Sequence, residues 1–116
     1  MKIGCDISKI ERFESIKDAF LNIYFTKSEI QYFNSKAGKQ KTQTIAGIFC
    51  AKEAFLKACG VGMGNGISLK DIEITHDENG KPQIKYLGDL APFNAMTFEV
   101  SISHDGDMAM AVVACD

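Results

Sequence analysis

The chain of 116 residues is long enough for one domain, and no linker, internal repeat or low-complexity segment divides it. Its 46% apolar and 24% charged residues are usual for a soluble globular protein, and a net charge of −2 argues against a nucleic-acid-binding protein. No apolar run reaches the roughly 20 residues of a membrane span, and the N-terminus lacks a signal-peptide pattern. Four cysteines without CxxC spacing are expected to be reduced core residues: Cys5, Cys50, Cys59 and Cys115. Together these features predict one cytoplasmic domain over residues 1–116.

The N-terminal third predicts a strand followed by helices. Met1–Ile7 is mostly apolar and is expected to be a buried first strand. Ser8–Glu11 has the spacing of a capping box, which makes Ser8 the expected N-cap of a first helix. Thr26–Glu29 repeats the pattern and predicts a second helix. The polar segment Ser35–Gln43 is expected to be a solvated connection.

A central helix is predicted over Ile48–Cys59, which contains no Gly or Pro. With about 100° per residue, one broad face is apolar. A second stripe carries only small side chains, namely Gly47, Ala51, Ala54 and Ala58. Glu53 and Lys57 share a narrow polar line, whereas Lys52 lies on the apolar face, where a buried ammonium needs a partner. The pattern indicates a core helix with a few charges that need an explanation.

Glycines at 60, 62, 64 and 66 end that helix in a loop that could accommodate an anionic group, and the residues beyond it predict two β-hairpins. The first hairpin contains an Asn-Gly turn, and the second turns at His104–Asp107. Its last strand, Met108–Ala114, is nearly all apolar and is expected to be buried on both faces. The sum is an α+β domain with a strand, three helices and two hairpins packed on the long central helix.

Two carboxylates, Asp6 and Glu53, fall on elements expected in the core and are candidate ligands for a hard cation. Two oxygen ligands with open positions suit magnesium shared with a substrate phosphate, to which Lys57 would add a positive charge. A capping or turn role is the simpler interpretation of Asp6 alone. An ordinary Glu53–Lys57 ion pair, worth ~0.3–0.5 kcal/mol, is the interpretation that the spacing alone favours.

Six motifs occur in order over nearly the whole chain: GCDISKIER, FTKSE, AGIFCAKEAFLKACGVG, ISLKDIEI, NGKP and VSISHDGDMAMAVV. In these motifs the chain resembles the 4′-phosphopantetheinyl transferase superfamily, and within it the small bacterial holo-(acyl-carrier-protein) synthases. The resemblance implies that family's α+β fold and a homotrimer with active sites between subunits.

The same resemblance implies a magnesium-dependent reaction of fatty acid biosynthesis. Phosphopantetheine would move from coenzyme A to a serine of apo-acyl carrier protein, with release of adenosine 3′,5′-bisphosphate. By the matching motifs, Asp6 and Glu53 would bind the metal and Lys57 would stabilise the leaving bisphosphate. The proton acceptor would be Glu53 or a metal-bound water.

Substrate-binding residues are also implied by the resemblance. Ser103 and His104 would line the nucleotide site, and Arg12 with Lys9 on the same helix would meet the acidic face of the carrier protein. Backbone close to the nucleotide would be provided by Gly60, Gly62 and Gly64.

The chain departs from the family pattern at Ile48, where relatives commonly carry Arg, and at Val61, where Thr is usual.

Two interpretations other than a transferase stay open. One is an inactive module that binds coenzyme A or the carrier protein on the same fold. The other is a purely structural oligomer.

Overall fold

The computed structural model describes residues 1–62 and 66–116, and in these ranges it contains five strands and three α-helices. The N-terminal elements are β1 (Lys2–Lys9), a 3-10 turn (Ile10–Phe13), α1 (Asp18–Tyr24), α2 (Lys27–Asn34) and α3 (Gly38–Cys59). A 3-10 turn at Leu69–Asp71 precedes β2 (Ile72–His76) and β3 (Pro82–Tyr86), and another at Phe93–Ala95 precedes β4 (Phe98–Asp105) and β5 (Met108–Cys115). The predicted α+β class and both C-terminal hairpins are confirmed.

The three-stranded sheet has the order β1-β5-β4, with both pairs antiparallel, and β2 and β3 form a separate two-stranded sheet. In the register of the larger sheet, Asp6 lies opposite Ala111, which lies opposite Ile102 on the far strand. Directly paired residues place their side chains on the same face, so alternate residues of each strand face α3. The arrangement brings Asp6 to the helix that carries Glu53.

The small-residue stripe of α3 is the surface on which the sheet packs. A Cβ added to Gly4 would overlap the Ala54 carbonyl oxygen and the Ala58 amide nitrogen, and one added to Gly47 would come within 2.8 Å of the Ile102 side chain. These overlaps mean that strand and helix backbones approach more closely than larger side chains would allow. The stripe therefore sets the distance between β1 and α3.

Two predicted boundaries are wrong. Ser8 does not cap a helix: β1 continues to Lys9, Ser8 is buried, and the first α-helix begins only at Asp18. The segment predicted as a connection over residues 35–43 is mostly helical, because α3 begins at Gly38. Lysine and glutamine are good helix formers, but an exposed turn without apolar spacing carries no periodic signal. The second capping box is confirmed, since Thr26 and Glu29 bond each other's backbone amides at 3.3 and 2.8 Å.

The expected burial of β1 and of both faces of β5 is also wrong for a single chain. One face of β5 is buried under α3, whereas the opposite face of the sheet exposes apolar side chains. Ile3 is 69% exposed, Ile7 63% and Met110 37%. We call this outer sheet face, formed by Ile3, Cys5, Ile7, Met110 and Val112, the apolar sheet face. Among the described elements, α3 is the helix that covers the sheet, and it covers one side, so a strand that is apolar on both sides leaves the other side uncovered.

The partner that Lys52 requires is Glu29, whose carboxylate lies 2.6 Å from the Lys52 ammonium. Both side chains are fully buried. Burial lowers the pKa of Lys52 and raises that of Glu29, and the attraction between the two groups opposes both shifts.

Among the described residues, no helix is both long and apolar enough to cross a membrane.

Candidate functional site

Strand β1 and helix α3 meet at an ion pair between Asp6 and Lys57. The Lys57 ammonium lies 3.0 Å from Oδ1 of Asp6, and Lys57 is more than half exposed while Asp6 is largely covered. This hydrogen bond, together with the charge of Asp6, raises the pKa of Lys57. In the ranges described, the carboxylate paired with Lys57 is therefore that of Asp6, and the ordinary Glu53–Lys57 ion pair is not formed.

Glu53 lies beside Asp6 and is half-buried. Its pKa is raised first by burial and then by the negative charge of Asp6, while Lys57 and Arg12 act in the opposite direction. Burial is thus the main cause of the raised pKa of Glu53, and the negative charge of Asp6 adds to it. A cation bound between the two carboxylates would stabilise the charged form of Glu53.

The donor set fits magnesium. Within residues 1–62 and 66–116 there is no group of three or more His, Cys, Asp or Glu side chains arranged around a metal position. Asp6 and Glu53 would supply two oxygen ligands and leave the remaining positions to water and substrate. Magnesium typically binds through one or two carboxylates and completes its shell with water and substrate phosphate.

A buried thiol lies beneath these carboxylates, one helical turn before Glu53. Cys50 Sγ donates to the carbonyl oxygen of Ala109 at 3.6 Å. Burial, followed by the charge of Asp6, raises the pKa of Cys50 to about 12. A thiol with so high a pKa stays protonated and is not a nucleophile. The expected core position of the cysteines is confirmed for Cys50, Cys59 and Cys115 and is wrong for Cys5, which is exposed on the outer face of β1.

Arg12 lies near the Glu53 carboxylate. Its guanidinium donates to Ser8 Oγ at 2.8 Å and lies over the rings of Phe13 and Phe49, at 5.5 and 5.6 Å. With Glu53 it borders a cavity of about 360 Å³ whose other walls are Phe13, Ile16, Phe20, Tyr24 and Phe49. The predicted shared helix is wrong: Lys9 ends β1, whereas Arg12 belongs to the following 3-10 turn.

Ser103 and His104 are not brought to Asp6 within one chain. They lie on β4, which β5 separates from β1, and both are exposed. His104 borders a different cavity of about 390 Å³, together with Gly47, Ile48 and Pro82. Gly60 ends α3 in the left-handed conformation with φ 73°, and Gly62 is exposed. Gly64 lies outside the described residues.

Known proteins match this chain over nearly its full length. The model of the 4′-phosphopantetheinyl transferase superfamily matches residues 2–113. The chain is 39% identical to the holo-[acyl-carrier-protein] synthase of Geobacillus sp. (strain WCH70), over 96% of this chain and 92% of that one. It is 37% identical to the enzyme of that name from Bacillus subtilis (strain 168), over 98% and 93% of the two chains.

Solved structures give the same result. The Helicobacter pylori holo-[acyl-carrier-protein] synthase in complex with coenzyme A aligns with a TM-score of 0.85 and 34% identity, covering 98% of this chain and 99% of that one. The synthase from Bacillus anthracis in complex with CoA (3′,5′-ADP) also aligns with a TM-score of 0.85 and 34% identity, covering 98% and 94%. By sequence and by fold, the chain belongs to the 4′-phosphopantetheinyl transferase superfamily, as a member of its holo-(acyl-carrier-protein) synthase branch.

Proposed function

We propose that this chain transfers 4′-phosphopantetheine from coenzyme A to a serine of apo-acyl carrier protein, in a magnesium-dependent reaction that releases adenosine 3′,5′-bisphosphate. The observation that carries the proposal is the Asp6–Glu53 pair with Lys57 at its edge, in a chain of this family. Coenzyme A is present in the complexes of the Helicobacter pylori and Bacillus anthracis relatives, which supports its use here. The carrier protein would be that of fatty acid biosynthesis, in the cytoplasm.

In this mechanism the side chains of the protein position the substrates and neutralise their negative charge. Asp6 and Glu53 would hold Mg²⁺, which when bound supplies positive charge to the pyrophosphate of coenzyme A. Lys57, more than half exposed, can turn from Asp6 toward the phosphates and stabilise the leaving bisphosphate. Glu53, which lies beside the reacting groups in this arrangement, or a metal-bound water would accept the proton of the carrier serine. Arg12 borders the same cavity and, with Lys9, would bind the acidic face of the carrier protein.

The proposal includes a homotrimer in which neighbouring subunits complete each site. Its support is the apolar sheet face, on which Ile3, Ile7 and Met110 lie exposed on two neighbouring strands. The separation of His104 and Ser103 from Asp6 also supports it, because residues of one chain that do not meet can meet across an interface. Gly60 and Gly62, at the end of α3, would lie on the subunit that provides the metal ligands.

Mixing two inactive variants tests the shared site. We expect Asp6→Ala and His104→Ala each to lose most transfer activity, measured as release of adenosine 3′,5′-bisphosphate from coenzyme A. After mixing and exchange of subunits, some interfaces pair an intact Asp6 with an intact His104, and partial activity should return. Mixing Asp6→Ala with Glu53→Ala is the control, because both lesions lie on the same subunit side. Recovery in the control, or none in the test mixture, would contradict the shared site.

A second candidate is an inactive module that binds coenzyme A or the carrier protein on the same fold. The exposed apolar and cationic surface near Arg12 would serve that role without any metal site. Such a module would bind coenzyme A with Asp6 and Glu53 replaced and would modify no carrier protein.

A further inference from the structure

Lys52 is the buried charge that the proposed chemistry does not use. It lies on α3, one residue before Glu53, and its side chain points into the core. An ammonium has three donors, and here four oxygen atoms surround it within 2.9 Å. One is the Glu29 carboxylate, and the other three are backbone carbonyls of Tyr24, Leu69 and Ile72.

One of these carbonyls belongs to a helix end that borders the cavity beside Glu53, and the other two belong to the turn that leads into β2. Tyr24 is the last residue of α1, and its ring borders the cavity beside Glu53 and packs edge-on against Phe49 at 6.0 Å. Leu69 and Ile72 lie where the chain returns from the glycines that follow α3. The carbonyl of Tyr24 lies at a helix end, and that of Leu69 accepts from the Ile72 amide as well as from Lys52, so the buried ammonium links the two segments.

The chain that leaves α3 at Gly60 is thus attached to the same helix at both of its described ends. At the start, the Gly60 and Val61 amides donate to the Lys57 and Leu56 carbonyls, at 3.2 and 3.0 Å. At the return, Lys52 binds the carbonyls of Leu69 and Ile72, both at 2.8 Å. Lys52 and Lys57 are five residues apart, which is roughly 7.5 Å along a helix. Along the helix axis, Glu53 therefore lies between Lys52, which binds the return, and the Leu56 and Lys57 carbonyls, which bind the start.

Glu29 completes the arrangement from the other side. Its carboxylate accepts from the amides of Thr26 and Ile74, at 2.8 and 2.7 Å, as well as from Lys52. The start of α2 and strand β2 are thereby connected to the same ammonium. A purely apolar residue at position 52 would pack in the core but could not bind any of these carbonyls.

We propose that Lys52 is a positioning residue for coenzyme A binding: its ammonium holds the Leu69–Ile72 return and the end of α1 at a fixed distance from Glu53 and Lys57. The inference rests on the proposed function for the identity of the substrate. Loss of the ammonium releases the Leu69–Ile72 turn and moves the end of α1, whose Tyr24 ring borders the cavity beside Glu53, while Asp6, Glu53 and Lys57 keep their places on β1 and α3. Binding of coenzyme A therefore weakens more than the chemical step.

The test compares Lys52→Met with Val113→Ala in the full chain, by steady-state kinetics and hydrogen exchange. Val113 is fully buried in the three-stranded sheet and shares none of the hydrogen bonds of Lys52, so this variant controls for a general loss of stability. We expect KM for coenzyme A to rise about tenfold to a hundredfold in Lys52→Met, as for a displaced binding group. We expect kcat to change by less than about threefold, because the reacting groups remain. Faster amide exchange should appear over residues 66–72 and 18–25.

Equal KM values in Lys52→Met and wild type, or an equal rise in Val113→Ala, would overturn the positioning role. If Lys52→Met alone does not fold, Lys52→Met with Glu29→Gln removes both buried charges, and the same comparison applies to it. Failure of the wild type to transfer phosphopantetheine would overturn the proposed function instead. In that case the exchange of residues 66–72 and 18–25 still decides the inference, because unchanged exchange in Lys52→Met would reject it.

Discussion

Asp6 and Glu53 bring two carboxylates close together at the contact between β1 and α3. Glu53 is half-buried, and its raised pKa reflects that burial and the neighbouring Asp6 charge. Lys57 offsets Asp6 by direct contact and Glu53 only at longer range. This remaining negative charge is what a divalent cation would neutralise.

Isosteric substitution of the two carboxylates tests their role. We expect Asp6→Asn and Glu53→Gln each to reduce kcat by about a hundredfold or more, since a bound metal supplies several kcal/mol of charge stabilisation to the transition state. Glu11→Gln is the matched control, because this exposed glutamate lies in the 3-10 turn and does not border the cavity of Glu53. Initial rates at increasing Mg²⁺ provide the measurement. Wild-type rates in either carboxylate variant would remove it from the metal site.

The raised pKa of Glu53 predicts a pH effect on stability without metal. Folding raises this pKa above its unfolded value, so the folded state binds the proton more tightly than the unfolded state does. The free energy of unfolding therefore falls as pH rises from the unfolded pKa through the folded one. We expect Glu53→Gln to lose this part of the pH dependence of Tm, and Mg²⁺ to reduce it in the wild type. The pKa of Glu29 is also raised, so this residue contributes to the pH dependence of stability with the same sign in the wild type and in Glu53→Gln. Identical slopes of Tm with pH in the two proteins would contradict a raised pKa at Glu53.

Among the helices and strands, hydrophobic periodicity predicted the buried segments and missed the exposed ones. The small-residue stripe and the apolar face of α3 were visible because burial imposes a 3.6-residue repeat. The exposed start of α3 at Gly38 left no such trace, and the Ser8–Glu11 pattern was matched by a strand and a turn instead. The partner of Lys52 could not be predicted, because Glu29 lies 23 residues away in sequence and its contact depends on the fold.

Close packing of β1 on α3 predicts that Gly4 cannot be enlarged. An added methyl group would meet backbone atoms of Ala54 and Ala58, which cannot move aside as a side chain does. We expect Gly4→Ala to reduce the free energy of unfolding by about 1–3 kcal/mol, the usual cost of overpacking. Lys2→Ala, at an exposed position of the same strand outside the apolar sheet face, should change it by far less. Urea denaturation of both variants decides; equal stabilities would mean that β1 and α3 are not held this closely.

At the scale of the whole molecule, the apolar sheet face is the feature that one chain leaves unexplained. A strand that is apolar on both sides predicted burial on both sides, and a single helix provides only one. The prediction was wrong for the single chain because sequence does not say whether a neighbouring element or another subunit supplies the cover. The family and the α+β fold, in contrast, follow from motifs spread over the full length and are confirmed.

A charge on the apolar sheet face should break the proposed trimer. Ile7 is 63% exposed and lies opposite Met110, so Ile7→Glu would bury a carboxylate at each interface. We expect light scattering to give the mass of a trimer for the wild type and of a monomer for Ile7→Glu, with unchanged circular dichroism. Ile23→Glu is the control, because Ile23 is similarly exposed but lies on α1. A monomeric wild type, or a trimeric Ile7→Glu, would contradict the proposed interface.

The intact mass of the carrier protein shows directly whether the chain is a phosphopantetheinyl transferase. Apo-acyl carrier protein is incubated with coenzyme A, Mg²⁺ and the wild-type chain and is then weighed by mass spectrometry. We expect the carrier to gain one phosphopantetheine group, a chelator to prevent the gain, and Asp6→Asn and Glu53→Gln to slow it greatly. An unmodified carrier, with a wild-type chain that is folded and binds coenzyme A, would contradict the transferase and favour the inactive binding module.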